Sequence, residues 1–181
     1  MVPMKKRQRR DGLKYLTLSA FFAALIAAGI AYLPKLPIAH GFVHIADSLV
    51  FLAAAVLPLP YSVIACALGG GLADILCGYA VYAPATFAVK GVTALFFRAA
   101  LSRQGGVGRI VCVRNLIALV PSALTCAGGY FLYELALYGF GAALVGVPMN
   151  LLQVAVGGVI FILIGLLTDK TRLLARLENG Q

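Results

Sequence analysis

Six apolar stretches follow one another along the 181-residue chain, separated by proline, glycine and basic clusters. Most of them are about 17 to 26 residues long, which is the length of helix that crosses a hydrocarbon layer roughly 30 Å thick. The strands of a membrane barrel would instead give shorter segments in which apolar and polar residues alternate. The pattern therefore predicts an all-α integral membrane protein with six transmembrane helices.

The expected spans have uneven lengths. They cover residues 15–33, 48–57, 61–77, 84–101, 115–138 and 147–167. The second span is short for a bilayer, and Asp47 is expected to act as the N-cap of its helix. Pro121 and the Gly128-Gly129 pair are expected to interrupt the fifth span. Residues 139–148 are expected to form a loop before the sixth.

Composition and charge set the class of protein and its orientation. Hydrophobic residues make up 62% of the chain and charged residues 12%, with a mean hydropathy of +0.97, whereas soluble domains carry about 25% charged residues. Lysines and arginines concentrate in the tails at 1–14 and 169–181 and around the fourth connection, while only Lys35 and Lys90 remain for the other side. Both termini of the six-helix domain (15–168) are therefore expected in the cytoplasm. The net charge of +9 fits anionic lipid headgroups and requires no nucleic acid.

The stretch from Gly69 to Gly91 holds two charges near hydrocarbon depth, Asp74 and Lys90. Ionisable groups inside a membrane span cost a few kcal/mol each, so they persist where they pair, face a cavity or serve a function. An antiparallel pair of helices would bring the two side chains to similar depth. They either form a structural bridge or bind a ligand, and the sequence leaves both interpretations open.

Most of the remaining polar residues fall on the outer loops or on the outward halves of the spans. The candidate binding residues are His44, Asp47, Asp74, Tyr79, Tyr82, Thr86, Lys90, Tyr130, Tyr133, Glu134, Asn150 and Gln153. Aromatic rings stack on a flat ligand, while amides and charged groups fix its orientation. An interfacial tyrosine belt explains some of the tyrosines, but it does not explain Glu134, Asn150 and Gln153 together. The set predicts a pocket that opens outward.

Small residues recur every four positions in the first span, as Ala20, Ala24 and Ala28. Such a row lets another helix approach closely, which in lipid is a main source of helix association. The partner helix could belong to the same chain or to another subunit.

Two segments resemble a known family. The segment HIADSLVFLAAAVLP and the later GGGLADILCGYAVYAPATFAVKG are similar to the substrate-binding S component of energy-coupling factor (ECF) vitamin transporters. The resemblance implies six helices, a pocket built from the outer loops and helices four to six, and a location in the bacterial cytoplasmic membrane. It also implies that Ala20, Ala24 and Ala28 dock on a transmembrane coupling subunit, which works with two ATPase subunits.

The expected function is high-affinity capture of a small water-soluble vitamin or related heterocycle. Riboflavin, pyridoxine, pantothenate, folate, thiamine precursors and a queuosine precursor all remain open. The chain carries no ATP-binding motif, no chain of carboxylates suited to proton relay and no visible repeat, so the energy for transport must come from a partner.

Two other classes of function are weighed against this one. His40, His44, Asp47 and Asp74 could form an intramembrane metal-dependent hydrolase site. Alternatively, a membrane assembly protein could use the alanine row alone, which would leave the outward polar cluster unexplained. We expect a protein that is not an enzyme and has no cofactor and no metal site.

Overall fold

The computed structural model describes residues 4–38, 41–101 and 109–171. Six helices and one short hairpin make up the described chain: α1 (Met4–Tyr32), β1 (Lys35–Ile38), β2 (Gly41–His44), α2 (Asp47–Val56), α3 (Tyr61–Leu76), α4 (Ala83–Leu101), α5 (Val113–Tyr138) and α6 (Phe140–Thr171). The prediction of a helical membrane protein is confirmed at this level.

The helices differ in length more than a uniform set of membrane crossings would. Within the described residues, three helical segments are long and apolar enough to span a membrane: Gly12–Tyr32, Val113–Tyr138 and Phe140–Thr171. The helix α2 has only 10 residues, which at 1.5 Å per residue gives about 15 Å, or half of the hydrocarbon layer. The expectation of a short second helix is thus confirmed.

Two expectations about element boundaries were wrong, and a third element is longer than expected. The first helix begins at Met4, so part of the N-terminal basic segment is helical, while its membrane-length part, Gly12–Tyr32, agrees with the span expected at 15–33. The expected loop at 139–148 is almost entirely helix, because Gly139 alone makes the turn before α6 with a φ of 83°. Glycine adopts this left-handed conformation without steric cost.

The expected break in the fifth span is also absent, since α5 continues through Pro121 and Gly128. Serine and threonine hydroxyls can bond backbone carbonyls near a proline in a membrane helix. Here the hydroxyl of Ser122 donates to the Ala118 carbonyl at 2.7 Å, and that of Thr125 donates to the Pro121 carbonyl at 2.8 Å.

The short helix α2 lies at the centre of the packing, in contact with α1, α3, α4 and α6. Its Phe51 ring stacks on Phe97 of α4 with centroids 5.5 Å apart, and Phe161 of α6 meets Phe97 edge-on at the same distance. All three rings are fully buried. This aromatic cluster joins three helices beside the polar region described below.

Two glycines let neighbouring helices approach that region closely. A Cβ at Gly70 of α3 would lie 2.9 Å from both Lys90 and Thr86 side-chain carbons, and one at Gly157 of α6 would lie 2.9 Å from the Asp47 Cβ. Any larger side chain would force the helices apart, so glycine sets the spacing of α3 and α6 around α2 and α4.

The segment between α1 and α2, expected as a loop, forms an antiparallel hairpin in which Lys35 pairs with His44. The hairpin lies against the turn between α3 and α4. The Phe42 ring is 5.1 Å from the Tyr79 ring, and the Lys35 Nζ donates to the Cys77 Sγ at 3.1 Å.

Candidate functional site

A cavity of about 40 Å³ lies among the hairpin, the end of α3, the α3–α4 turn and parts of α4, α5 and α6. We call it the polar cavity. Its described lining consists of Phe42, His44, Asp74, Tyr79, Tyr82, Thr86, Tyr130, Glu134, Asn150 and Gln153. The tertiary structure thus brings together residues from five separate elements, and most of the residues predicted from the sequence meet here.

Three of the predicted residues do not line this cavity. Asp47 and Lys90 lie behind its wall, where they form a buried ion pair. Tyr133 lies to one side: its hydroxyl donates to the Val81 carbonyl, and its ring is 5.8 Å from that of Tyr82. These residues support the wall from outside.

Sequence reasoning missed Phe42. This ring and His44 are two residues apart on β2, so they point to the same face of the hairpin, and their ring centroids are 6.1 Å apart. The sequence GFVH places Phe42 and His44 at alternate positions, which is a strand pattern. The surrounding prolines and glycines nevertheless favoured a loop rather than a strand.

The sequence left open whether Asp74 and Lys90 form a bridge or bind a ligand, and the structure pairs Lys90 with a different carboxylate. The Lys90 Nζ lies 2.5 Å from the Asp47 Oδ1, with both side chains almost fully buried, and in the described chain no salt bridge joins Lys90 to Asp74. The expected capping role of Asp47 is also wrong, because Ala46 is the N-cap residue and Asp47 begins the helix. The carboxylate of Asp47 points into the core instead of capping the backbone.

A hydrogen-bond chain connects this pair to the hairpin through Gln153. The Gln153 Nε2 donates to the Asp47 Oδ2 at 3.0 Å, and its Oε1 accepts from the His44 backbone N–H at 3.2 Å. Both ends of the Gln153 amide are therefore engaged within the protein. This side chain fixes β2 against α2 and α6.

The tyrosines of the cavity wall are held by side chains of neighbouring helices. The Tyr82 hydroxyl donates to the Glu134 Oε1 at 3.2 Å, and the Thr86 and Tyr130 hydroxyls are 2.9 Å apart. The Lys90 Nζ also lies 5.9 Å from the centroid of the Tyr130 ring. These contacts fix the aromatic rings that could stack on a flat ligand.

Two polar atoms in the lining have no hydrogen-bond partner among the described residues. They are the Asp74 Oδ2 and the His44 Nδ1, and both are buried. Leaving a buried donor or acceptor unpaired costs about 1 to 3 kcal/mol. Both atoms are placed to pair with a polar group inside the cavity.

Burial also sets the protonation state of His44, which lies in the hairpin outside the helices. Burial lowers the pKa of this imidazole to about 4, although the nearby Asp47 carboxylate acts in the opposite direction. The ring is therefore neutral at pH 7. A neutral imidazole offers a ligand one donor and one acceptor nitrogen.

A second cavity of about 200 Å³ shares the lining residues His44 and Gln153 with the polar cavity. We call it the apolar cavity. Its other described lining residues are Pro34, Lys35, Ile45, Leu152 and Val156. It is thus bounded mainly by aliphatic side chains of the hairpin flanks and α6.

A second row of small residues on α1, which includes Ser19 and Ala27, runs beside the row of Ala20, Ala24 and Ala28, and the two rows have different surroundings. Ser19 and Ala27 are buried against the rest of the chain, whereas Ala20, Ala24 and Ala28 are exposed. Packing within the chain therefore uses the neighbouring row. The row at 20, 24 and 28 remains on the outer surface of the helix bundle.

Apolar helices around a cavity whose lining includes buried, unpaired hydrogen-bonding atoms are typical of a membrane protein that binds a small molecule. The chain belongs to the S-component family of ECF transporters, because the sequence model of the family described as "ECF-type riboflavin transporter, S component" matches residues 12–170. No curated protein sequence gives a significant match.

Family membership confirms several predictions. The protein is the membrane-embedded substrate-binding subunit of a vitamin transporter and is not an enzyme. It works with an ECF module, which consists of a transmembrane coupling subunit and two ATPases. Neither the hydrolase nor the assembly-protein alternative receives support. His40, which the hydrolase interpretation used, lies outside the described residues.

Proposed function

We propose that this protein captures riboflavin at the outer face of the membrane and delivers it through the ECF module. The match of residues 12–170 to a family named for riboflavin transport carries this proposal. The chemistry of the polar cavity supports it independently of the name.

Riboflavin is uncharged at neutral pH and joins a flat ring system to a chain of hydroxyl groups. The described lining of the polar cavity includes the acidic side chains Asp74 and Glu134 and the amide of Asn150, but no lysine or arginine. Carboxylates accept hydrogen bonds from hydroxyl and imide groups. The same carboxylates repel an anionic ligand, so the lining favours riboflavin over pantothenate or folate, which are both carboxylates.

We assign different roles to the predicted site residues. The Asp74 Oδ2 and the His44 Nδ1 meet polar groups of the ligand, since neither atom has a partner in the described chain. Glu134 and Asn150 add further hydrogen bonds from α5 and α6. The rings that stack on the ligand are Phe42, Tyr79, Tyr82 and Tyr130, and Thr86 orients Tyr130.

Asp47, Lys90, Gln153 and Tyr133 hold this wall in place. Lys90 and Asp47 neutralise each other in the core, so neither provides a free charge for an anionic ligand. Tyr133 is bonded to the backbone next to Tyr82. We propose that these residues position the wall from behind.

We also propose that all six helices of the membrane domain (15–168) cross or enter the bilayer, with both termini in the cytoplasm. The charge distribution of the sequence supports this orientation, because the side opposite the termini holds only Lys35 and Lys90. The exposed alanine row on α1 (Ala20, Ala24 and Ala28) is then the docking face for the coupling subunit.

Riboflavin binding can be tested with the purified full-length protein. We expect saturable quenching of flavin fluorescence with a Kd of about 1 μM or tighter, and no competition by pantothenate, pyridoxine or thiamine. A protein that fails to quench riboflavin but binds another vitamin from the panel would overturn the choice of substrate. The family assignment would stand in that case.

A further inference from the structure

We infer that three cations at the end of α5 far from the polar cavity bind the phosphodiester headgroup of an anionic phospholipid. They are Arg109, which precedes α5, Arg114 in the first turn of α5, and Lys170 in the last turn of α6. We call them the basic cluster. The inference does not depend on which vitamin the protein captures.

The basic cluster lies about one bilayer thickness away from the polar cavity. Arg114 and Glu134 are both on α5, and at 1.5 Å per residue the helix between them is about 30 Å long. The hydrocarbon layer of a membrane is also roughly 30 Å thick. Glu134 lines the polar cavity. In the orientation that we propose for the bundle, Arg114 therefore lies at the depth of the cytoplasmic headgroups.

Hydrogen bonds hold the backbone around the three cations together. The two carboxylate oxygens of Asp169 accept the backbone N–H groups of Ile110 and Val111 at 2.8 and 3.0 Å. The Asn115 Nδ2 donates to the Ile110 carbonyl. Each member of the basic cluster is the sequence neighbour of a residue in this network, so its Cα lies about 3.8 Å from the Cα of that neighbour. The network thus brings the cations together from two helices and the segment before α5.

Close packing fixes this arrangement further. A Cβ at Gly165 of α6 would lie 2.7 Å from the Val111 side chain and 2.8 Å from that of Ile110. The segment before α5 therefore rests directly on α6, and Ile110 is buried. A group of side chains whose backbone is already fixed pays less ordering entropy when it binds a headgroup.

The positive charge of the basic cluster is not balanced within the described residues. All three side chains are exposed, and none of them forms a salt bridge with a described residue. The carboxylate of the network, Asp169, already has both oxygens bonded to backbone N–H groups. Arg114 also lies in the first turn of α5, where the helix dipole disfavours a cation and where no acidic residue is present. These charges favour an anionic partner from outside the chain.

Exposed aliphatic side chains continue from the basic cluster along α5. Val113, next to Arg114, is 71% exposed, and Ile117 and Leu124 follow on the same face of the helix and are exposed as well. A phospholipid has the same two parts, since it joins a charged phosphodiester to hydrocarbon chains. A soluble anion such as inorganic phosphate has no hydrocarbon to cover this face. The combination of charge and apolar surface therefore favours a lipid.

The test is the binding of phosphatidylglycerol to the purified full-length protein, measured by native mass spectrometry. Wild type should bind it about tenfold more tightly than phosphatidylcholine, whose headgroup has no net charge. Arg114→Gln and Lys170→Gln, on different helices, should each weaken phosphatidylglycerol binding about fivefold, which is the usual contribution of one basic residue at an anionic membrane surface. Arg10→Gln is the control, because it removes the same charge from the basic segment of α1 and should change the affinity less than about twofold.

Equal losses for the control and the two cluster variants would reduce the effect to general surface charge and overturn the site. Complete displacement of the lipid by inorganic phosphate would assign the basic cluster to soluble anions instead. Unchanged lipid binding in both cluster variants would also overturn the inference, and loss of co-purification with the coupling subunit would then assign the cations to a protein partner. Thermal unfolding checks that each variant is folded. Because the two substitutions lie on different helices, either variant can decide the question if the other does not fold.

Discussion

Lys90 of α4 pairs with Asp47 of α2, with 2.5 Å between the Nζ and the Oδ1, in the most buried part of the helix bundle. The pair connects the first turn of the central short helix to the helix that carries the cavity wall. Because Gln153 bonds the second oxygen of Asp47 and the backbone of the hairpin, the pair also sets the position of β2. The Lys90–Asp47 pair should therefore stabilise the fold whether or not a ligand is bound.

Breaking the pair should destabilise the protein in the absence of ligand. Asp47→Asn or Lys90→Met leaves one buried charge without its partner, which costs about 3 to 5 kcal/mol, and the double variant should recover part of the loss. Denaturant unfolding in detergent measures the coupling energy of the cycle. The matched cycle of Asp74→Asn with Lys90→Met should show a smaller coupling. A larger coupling energy for Asp74 with Lys90 than for Asp47 with Lys90 would instead favour the Asp74–Lys90 bridge, one of the two interpretations that the sequence left open.

Glu134, Asn150 and Gln153 should respond differently to alanine substitution. Glu134→Ala and Asn150→Ala should each weaken riboflavin binding roughly tenfold or more, since removing a buried hydrogen-bond partner costs about 1 to 3 kcal/mol. Gln153→Ala should weaken binding to a similar extent by releasing the wall rather than by removing a contact with the ligand. Gln153→Ala should also lower stability without ligand, because its amide joins Asp47 to the His44 backbone. Calorimetric titration and thermal unfolding separate the two effects. Unchanged affinity in all three variants would place the site elsewhere.

Gly146 offers a way to move Glu134 without changing it. A Cβ at Gly146 would lie 2.5 Å from the Glu134 Oε2, so Gly146→Ala should displace the carboxylate and weaken riboflavin binding about tenfold, or 1.4 kcal/mol. Gly141→Ala on the same helix is the control, because nothing lies within 4 Å of its added Cβ. Equal affinities for the two variants would remove Glu134 from the binding site.

The exposed alanine row should control transport without affecting capture. Ala24→Trp places a large side chain on the outer face of α1, so it should block close approach of the coupling subunit and abolish uptake. Riboflavin affinity of the purified protein should be unchanged. Val120→Trp, on an exposed position of α5, is the control and should retain uptake. If both variants transport riboflavin normally, the docking face lies on another helix.

His44 should make stability depend on pH. Burial lowers its pKa to about 4 in the folded protein, against about 6.5 for an unperturbed histidine, so between these values the unfolded chain binds the extra proton. The contribution of His44 is fully present above about pH 6.5 and is lost as the pH falls, with a loss of about 2 kcal/mol at pH 5. Unfolding of wild type and His44→Gln across about pH 5 to 8 isolates this effect. Parallel curves would show that His44 is not buried as a neutral ring.

The helices could be predicted because their signal is local. Apolar length and the lack of charges identify a membrane helix whatever surrounds it, and the end of α1 near Tyr32 and the start of α3 at Tyr61 both agree with the expected spans. The family resemblance rested on such local segments and was confirmed. The polar residues of the cavity were visible for the same reason, since polar groups are rare among apolar spans.

Which charged side chains pair, and how far each helix is rotated about its axis, could be learned only from the tertiary structure. The sequence placed Asp74 and Lys90 close together in the chain, but Lys90 lies opposite Asp47, because the rotation of α4 and the central position of α2 decide which carboxylate it meets. The short hairpin was likewise hidden, since its pairing depends on contacts with the α3–α4 turn.

The sequence by itself determined that this chain is a helical membrane protein with a few polar groups among its apolar spans, because hydropathy and charge act residue by residue. Only the tertiary structure decided that Ser19 and Ala27 pack inside while Ala24 remains exposed, and that His44 and Gln153 line two cavities. Those features depend on how far each helix is rotated and how closely its glycines let it approach its neighbours, and neither quantity is set by any one segment alone.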